Sequence, residues 1–293
     1  MTLPGNATYA TILGDYWSQQ ESALQPSCIL TPSTTAQIAT ALPILTQGQC
    51  PLAIKGQGHA PASGFANVQN GVTIDMSGLN SVAVSPGNDI VQIGAGNAWL
   101  DVYEYLNDLG LAVAGGRNGA VGVGGLTVGG GISHFSPRVG FVCDTVVNFE
   151  IVLASGEVTN ANATSNSDLF RALKGGANNF GIVTRFDLQA FHQGEIWGGS
   201  LVHTIDQREA VFKAFSDIAG AKDFDENTSL VAGFIYNSST KGWIIGNGVV
   251  YTEPVENPEV FAELLAIPRV SDSVTITNLS VLANEGKGLD PKL

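Results

Sequence analysis

Gly115-Gly116-Arg117-Asn118-Gly119-Ala120-Val121-Gly122-Val123-Gly124-Gly125-Leu126-Thr127-Val128-Gly129-Gly130-Gly131 is the stretch on which the reading of this chain turns. Ten of the 36 glycines lie between Gly110 and Gly131. Glycine loses more backbone entropy on folding than any other residue, so such a density has a local purpose. It permits positive φ and lets backbone N–H groups converge on an anion with no side chain in the way. A pyrophosphate, and with it a dinucleotide, is the natural guest. The nicotinamide-type fingerprint does not fit: Gly122-x-Gly124 is followed by Thr127 where a third glycine would stand, and no clear strand precedes it. Asp144, at a suitable distance downstream, carries little weight alone. The bland alternative is a glycine loop that merely packs tightly.

Upstream, the strand-like Leu52-Ala53-Ile54-Lys55 runs into Gly56-Gln57-Gly58-His59-Ala60, with Ser63-Gly64 just beyond. A lone histidine is usually an ordinary surface or core residue. This one leaves a strand inside a glycine turn that would admit a planar ring system, and a neutral imidazole is a competent nucleophile. Downstream lies a third glycine-bearing string, Lys174-Gly175-Gly176-Ala177-Asn178-Asn179-Phe180-Gly181-Ile182-Val183-Thr184.

The three strings, in this order, resemble the flavin-contact motifs of the berberine-bridge-enzyme-like FAD-linked oxidoreductases, within the wider p-cresol methylhydroxylase and vanillyl-alcohol oxidase superfamily. The resemblance spans roughly Gln20 to Ala190. It implies an α+β fold: a two-subdomain FAD-binding domain of the p-cresol methylhydroxylase type over residues 1–192, split near residue 76. An incomplete substrate domain of antiparallel sheet plus helices would follow over residues 193–293. FAD is the implied cofactor, and His59 matches the histidine whose ring nitrogen bonds the 8α-methyl of the isoalloxazine. Lys55, Gly56, Gln57, Gly58, His59 and Ala60, with Ser63 and Gly64, would hold phosphates and flavin. Val121, Gly122, Gly125, Leu126 and Gly129 would line the cofactor, and Gly181, Ile182 and Val183 would close over it.

Doubly linked members of the family carry a cysteine where Asn118 stands, so a single covalent link is expected. Leu126 occupies a position that is often histidine. The later portion of family chains commonly supplies the catalytic tyrosine or acid, so no catalytic residue is assigned. The implied function is oxidation of an alcohol, sugar or secondary-metabolite C–H by hydride transfer to flavin, with reoxidation by O2. The alternative is a truncated flavin- or glycan-binding protein without turnover.

Composition sets outer bounds. A net charge of −13 over 293 residues argues against nucleic acid, whose binding depends on Lys/Arg neutralisation. No run approaches the roughly 18 uninterrupted apolar residues of a membrane helix. Cys28, Cys50 and Cys143 offer no metal spacing and no CxxC pair. Sequons at Asn6, Asn162, Asn227, Asn237 and Asn278 lean towards the secretory route and a glycoprotein, where a Cys28–Cys50 disulfide could persist. No signal peptide precedes Thr2, so the expectation is that it has been removed or that the protein stays inside.

The pattern mixes α and β throughout. Helical spacing runs over residues 8–24, a capping signal at Ser33 or Thr34 opens a helix through Gln47, and residues 98–109 carry a helical stripe. Strands are expected at 72–75, 90–93, 146–153 and 181–188. From about Ile196 longer strands alternate with amphipathic helices. Among smaller candidates, Asp144 reads as a loop anchor in preference to a catalytic group, Cys143 as a buried thiol, and His134, which could reach the flavin edge, as an ordinary loop histidine. His192 and His203 are assigned nothing, and Trp197, Trp243 and Tyr251 read as core.

Overall fold

The structure, a computed structural model, describes residues 1–238 and 241–288, the side chain of Asn237 excepted. Its first layer comprises α1 (Ala7–Gly14), α2 (Gln19–Ser22), β1 (Cys28–Leu30), α3 (Thr35–Gln47), β2 (Leu52–Lys55) and β3 (Val72–Asp75). The three strands form a parallel sheet in the order β1-β3-β2. Thr34, rather than Ser33, caps α3, its side chain accepting from Gln37 N at 3.3 Å.

The helical spacing over residues 8–24 resolves into two short helices. Asn6 caps the first and Ser18 the second. Between them the chain breaks because Trp17 N–H donates to Gly58 O at 3.0 Å, a tertiary bond that displaces the helical ladder.

Cys28 and Cys50 are separate thiols, which corrects the expected disulfide. Both Cys28 and Leu52 pair with Val72 across the sheet. β3 therefore lies between β1 and β2, the strand that begins two residues after Cys50.

The second layer holds β4 (Val82–Val84), β5 (Ile90–Gly94), α4 (Trp99–Asn107), β6 (Leu111–Val113), α5 (Val123–Val128), α6 (Ser136–Val139), β7 (Val146–Val152), β8 (Val158–Asn162), α7 (Ser167–Leu173) and β9 (Ile182–His192). Its sheet runs β4-β5-β9-β7-β8, with β6 also on β9. Ile93, Trp99, Val102, Leu106, Phe149, Ile151, Phe186 and Leu188 fill the core behind it, none more than a trace exposed. The glycine stretch is not loop throughout. Residues Val123–Val128 form α5, whose two glycines hide it from a propensity reading.

The third layer consists of β10 (Ile196–Thr204), α8 (Arg208–Ala219), β11 (Thr228–Asn237), β12 (Gly242–Tyr251), α9 (Ala262–Ala266), β13 (Ser271–Asp272), β14 (Thr275–Thr277) and α10 (Leu279–Gly288). The sheet is antiparallel, in the order β11-β12-β10-β13, with β14 also on β10. Trp197, Leu201, Ile245 and Val249 pack under α8 and α9 as a separate core. The opposite face presents Gly198, Ser200 and Val202 beside Val250, Gly248 and Gly246. α10 returns to the second layer, where Leu279, Leu282 and Ala283 join its core and Ala283 O accepts from Gly119 N at 2.8 Å. Among the described residues no helix is long and apolar enough to cross a membrane.

Candidate functional site

The three glycine strings meet around one cavity of about 880 Å³. Its wall includes Gly56, Gln57, Gly58, His59, Ala60, Gly64, Val121, Gly122, Gly125, Leu126, Gly129, Gly181, Ile182 and Val183, all expected from sequence. Two expected residues do not line it. Lys55 turns to the other side of β2, where its ammonium is buried 3.6 Å from Asp75. Ser63 lies outside the wall. Ala53, Phe65, Met76, Ala95, Asn178, Asn179 and Phe186 line the cavity without having been singled out.

Glycine is required at the contact between the first two strings. A Cβ on Gly58, which has φ +69°, would meet the Tyr16 ring at 2.9 Å, and one on Gly122 would meet Gln57 N at 2.9 Å. Gln57 locks the same junction by donating from Nε2 to Gly96 O at 2.6 Å. Gly125 differs. It sits inside α5 on the cavity wall, and a Cβ there would meet nothing within 4 Å. Packing of the chain does not explain it, so the space it leaves belongs to whatever fills the cavity.

His59 is half-buried on this wall, its ring stacked on Trp17 with centroids 5.1 Å apart and planes 20° apart. Beneath it Glu21, fully buried, holds the next part of the loop. Its carboxylate accepts from the backbone N–H groups of Gly64 at 3.2 Å, Phe65 at 2.9 Å and Ala66 at 2.6 Å. Tyr16 donates to Ala66 O at 2.8 Å. Burial, then the charges of Glu21 and Asp75, raise the Tyr16 pKa far above the ordinary phenol value, so it acts as a fixed donor. Sequence reading missed Glu21 because its partners are 43 to 45 residues away.

The smaller candidates sort differently from expectation in places. Asp144 is a loop anchor, accepting from Phe141 N at 2.9 Å, and Cys143 is a buried thiol. His134 is not an ordinary loop histidine. It is buried, and its Nδ1 stands 3.0 Å from Ser229 Oγ on β11, joining the second layer to the third. Burial, then the nearby charge of Arg117, lowers its pKa to about 3. Trp197 is core, but Trp243 is exposed, paired with Tyr236 at the turn end of the β11–β12 hairpin, and Tyr251 donates to Asp225 at 2.8 Å.

Asn118 faces away from the cavity wall, donating to Gly286 O at 3.1 Å and accepting from Ala120 N at 2.8 Å. Of the sequons, Asn6 and Asn278 are exposed. Asn162 accepts from Thr164 N and Ser165 N, and Asn227 accepts from Thr252 Oγ1. The side chain of Asn237 lies outside the described residues.

Among the described residues the cavity wall carries no Asp, Glu, Lys or Arg. An anionic group there would rest on backbone N–H groups, and flat rings would rest on Ile54, Leu126, Ile182 and Val183. A dinucleotide with a planar ring system fits such a wall. Among the described residues no cluster of His, Cys, Asp and Glu could hold a metal ion.

The family model described as FAD binding domain matches residues 26–162. The chain is 36% identical over 301 residues to the FAD-dependent monooxygenase CTB5 of Cercospora beticola, covering 97% of this chain and 57% of that protein. The chain thus spans somewhat over half the length of this relative. Among solved structures it is similar to 6-hydroxy-D-nicotine oxidase from Arthrobacter nicotinovorans, with a TM-score of 0.87 at 20% identity, covering 98% of this chain and 63% of that one. It is also similar to glucooligosaccharide oxidase from Acremonium strictum, with a TM-score of 0.73 at 23% identity, covering 90% of this chain and 56% of that one. The latter carries a 6-S-cysteinyl, 8α-N1-histidyl FAD. The fold is that of the berberine-bridge-enzyme-like proteins.

Proposed function

We propose that the protein is an FAD-linked oxidoreductase, an oxidase that takes a hydride from an alcohol, sugar or secondary-metabolite C–H, with its flavin bonded once, through His59. The observation that carries this reading is the half-buried imidazole of His59 on the wall of a charge-free, glycine-lined cavity. When bound, FAD supplies a two-electron acceptor, which O2 restores by forming hydrogen peroxide. The chain's own residues hold and orient. Backbone N–H groups of residues 56–60 and 121–125 receive the diphosphate, and Ile182 and Val183 keep water from the ring face. Asn118 leaves the cysteinyl attachment of the glucooligosaccharide oxidase without a counterpart, which supports a single link. A catalytic acid or base is not assigned.

Two results test the reading: yellow colour that stays with acid-precipitated protein and leaves it in His59→Ala, and bleaching of the bound flavin by a panel of alcohols and sugars with peroxide release. A protein that stays yellow with every substrate would reduce the reading to flavin binding. For the secretory route, the exposed Asn6 and Asn278 are the sequons a glycosidase-sensitive mass shift should map to.

A further inference from the structure

We propose that Trp17 is a positioning residue for flavin attachment: its indole fixes the plane of the His59 imidazole. The proposal rests on the reading of His59 given above. The nitrogen lone pair that forms the new bond lies in the imidazole plane, so the tilt of that plane decides whether the lone pair points at the partner carbon or past it. The stack on Trp17, at 5.1 Å and 20°, sets that tilt.

The segment that carries Trp17 is fastened on every side to the loop that carries His59. Trp17 N–H donates to Gly58 O, the carbonyl of the peptide leading into His59, at 3.0 Å. Tyr16 fills the space beneath Gly58, where a Cβ would come within 2.9 Å of its ring, and reaches Ala66 O. Four residues on from Trp17, Glu21 holds the amides of residues 64–66. Residues 16–21 thus grip the His59 loop on both sides of the imidazole. The break between α1 and α2 is where that grip is made. Trp17 is half-buried, and its flat ring lies nearly parallel to the imidazole.

Attachment joins an imidazole nitrogen to the 8α carbon. It removes one hydrogen from the imidazole and one from the methyl group, and passes two electrons to dioxygen, which leaves as hydrogen peroxide. Trp17 takes no part in the bond changes. Its effect is on the fraction of time the lone pair is aimed.

The test is the time course of covalent incorporation. Chains produced under riboflavin limitation are mixed with FAD, and flavin in the acid pellet is compared with total bound flavin. The variants are Trp17→Phe, which keeps a flat ring, and Trp17→Leu, which keeps apolar volume without one. Trp17→Leu should bind FAD but attach it about tenfold more slowly or worse, and Trp17→Phe should stay within about threefold of the parent. Equal rates in all three chains, with the parent pellet yellow, would overturn the role of Trp17 while leaving the His59 link standing. Equal slowing in Phe and Leu variants would also overturn it, since ring geometry would then not matter. A colourless parent pellet would end both.

Discussion

Gly125→Ala should make the empty chain more stable and its hold on FAD weaker, opposite signs from one methyl group. In the interior of α5 alanine is favoured over glycine by about 0.8–1 kcal/mol, and the new Cβ would meet no atom of the chain within 4 Å. The flavin-free protein should therefore gain somewhat under about 1 kcal/mol, a rise of roughly 2 °C in melting temperature for a chain of this size. Gly125 lines the cavity, where intrusion of a methyl group into a filled site costs about 1–3 kcal/mol. At 1.4 kcal/mol per tenfold, FAD affinity should fall by about 5- to 150-fold. The comparison is made in a His59→Ala background, so that binding is reversible, by thermal unfolding of the flavin-free chain and calorimetric titration with FAD. Unchanged affinity beside increased stability would show that the space at Gly125 is not the cofactor's.

Other outcomes follow from the same geometry. Glu21→Gln replaces one acceptor oxygen with a donor facing three amide N–H groups, so it should cost about 1.5–3 kcal/mol and expose residues 63–67 to protease; urea unfolding and limited proteolysis measure both. His134 and His203 both have lowered pKa values, from burial first and then from Arg117 and Arg269 respectively. Below about pH 6.5 the unfolded chain takes up protons these residues refuse when folded. Stability present above that pH should then fall on acidification, by up to ~1.4 kcal/mol per pH unit for His134 alone until its own pKa of about 3, and His134→Asn should flatten the slope. Unreduced protein denatured in guanidinium should titrate with three free thiols, Cys28, Cys50 and Cys143, where a Cys28–Cys50 bridge would leave one.

The parts of the site legible in sequence were those whose requirement is local. A glycine turn leaving β2 and a glycine run near residue 122 advertise themselves because positive φ and close backbone approach leave few other residue choices, as at Gly58 and Gly122. What escaped was set by distant partners. Glu21 looks like any helix-surface acid until residues 64–66 fold over it, and Trp17 sits in a stretch with helical spacing that a single bond to Gly58 interrupts. Lys55 was misplaced because strand alternation sends it to the Asp75 side, away from the cavity its neighbours line. Nothing in the spacing of Cys28 and Cys50 tells whether the two sulfurs meet, and they stand as separate thiols. His134 was undervalued for the same reason, since Ser229 lies 95 residues on.

The central claim, that FAD occupies the glycine-lined cavity bonded to a single side chain on its wall, is tested most directly by mass spectrometry of the proteolysed holoprotein. The peptide containing His59 should carry the mass of FAD less two hydrogens, with fragment ions placing it on the imidazole. An unmodified His59 peptide from yellow protein, or the flavin found on any other residue, would contradict it.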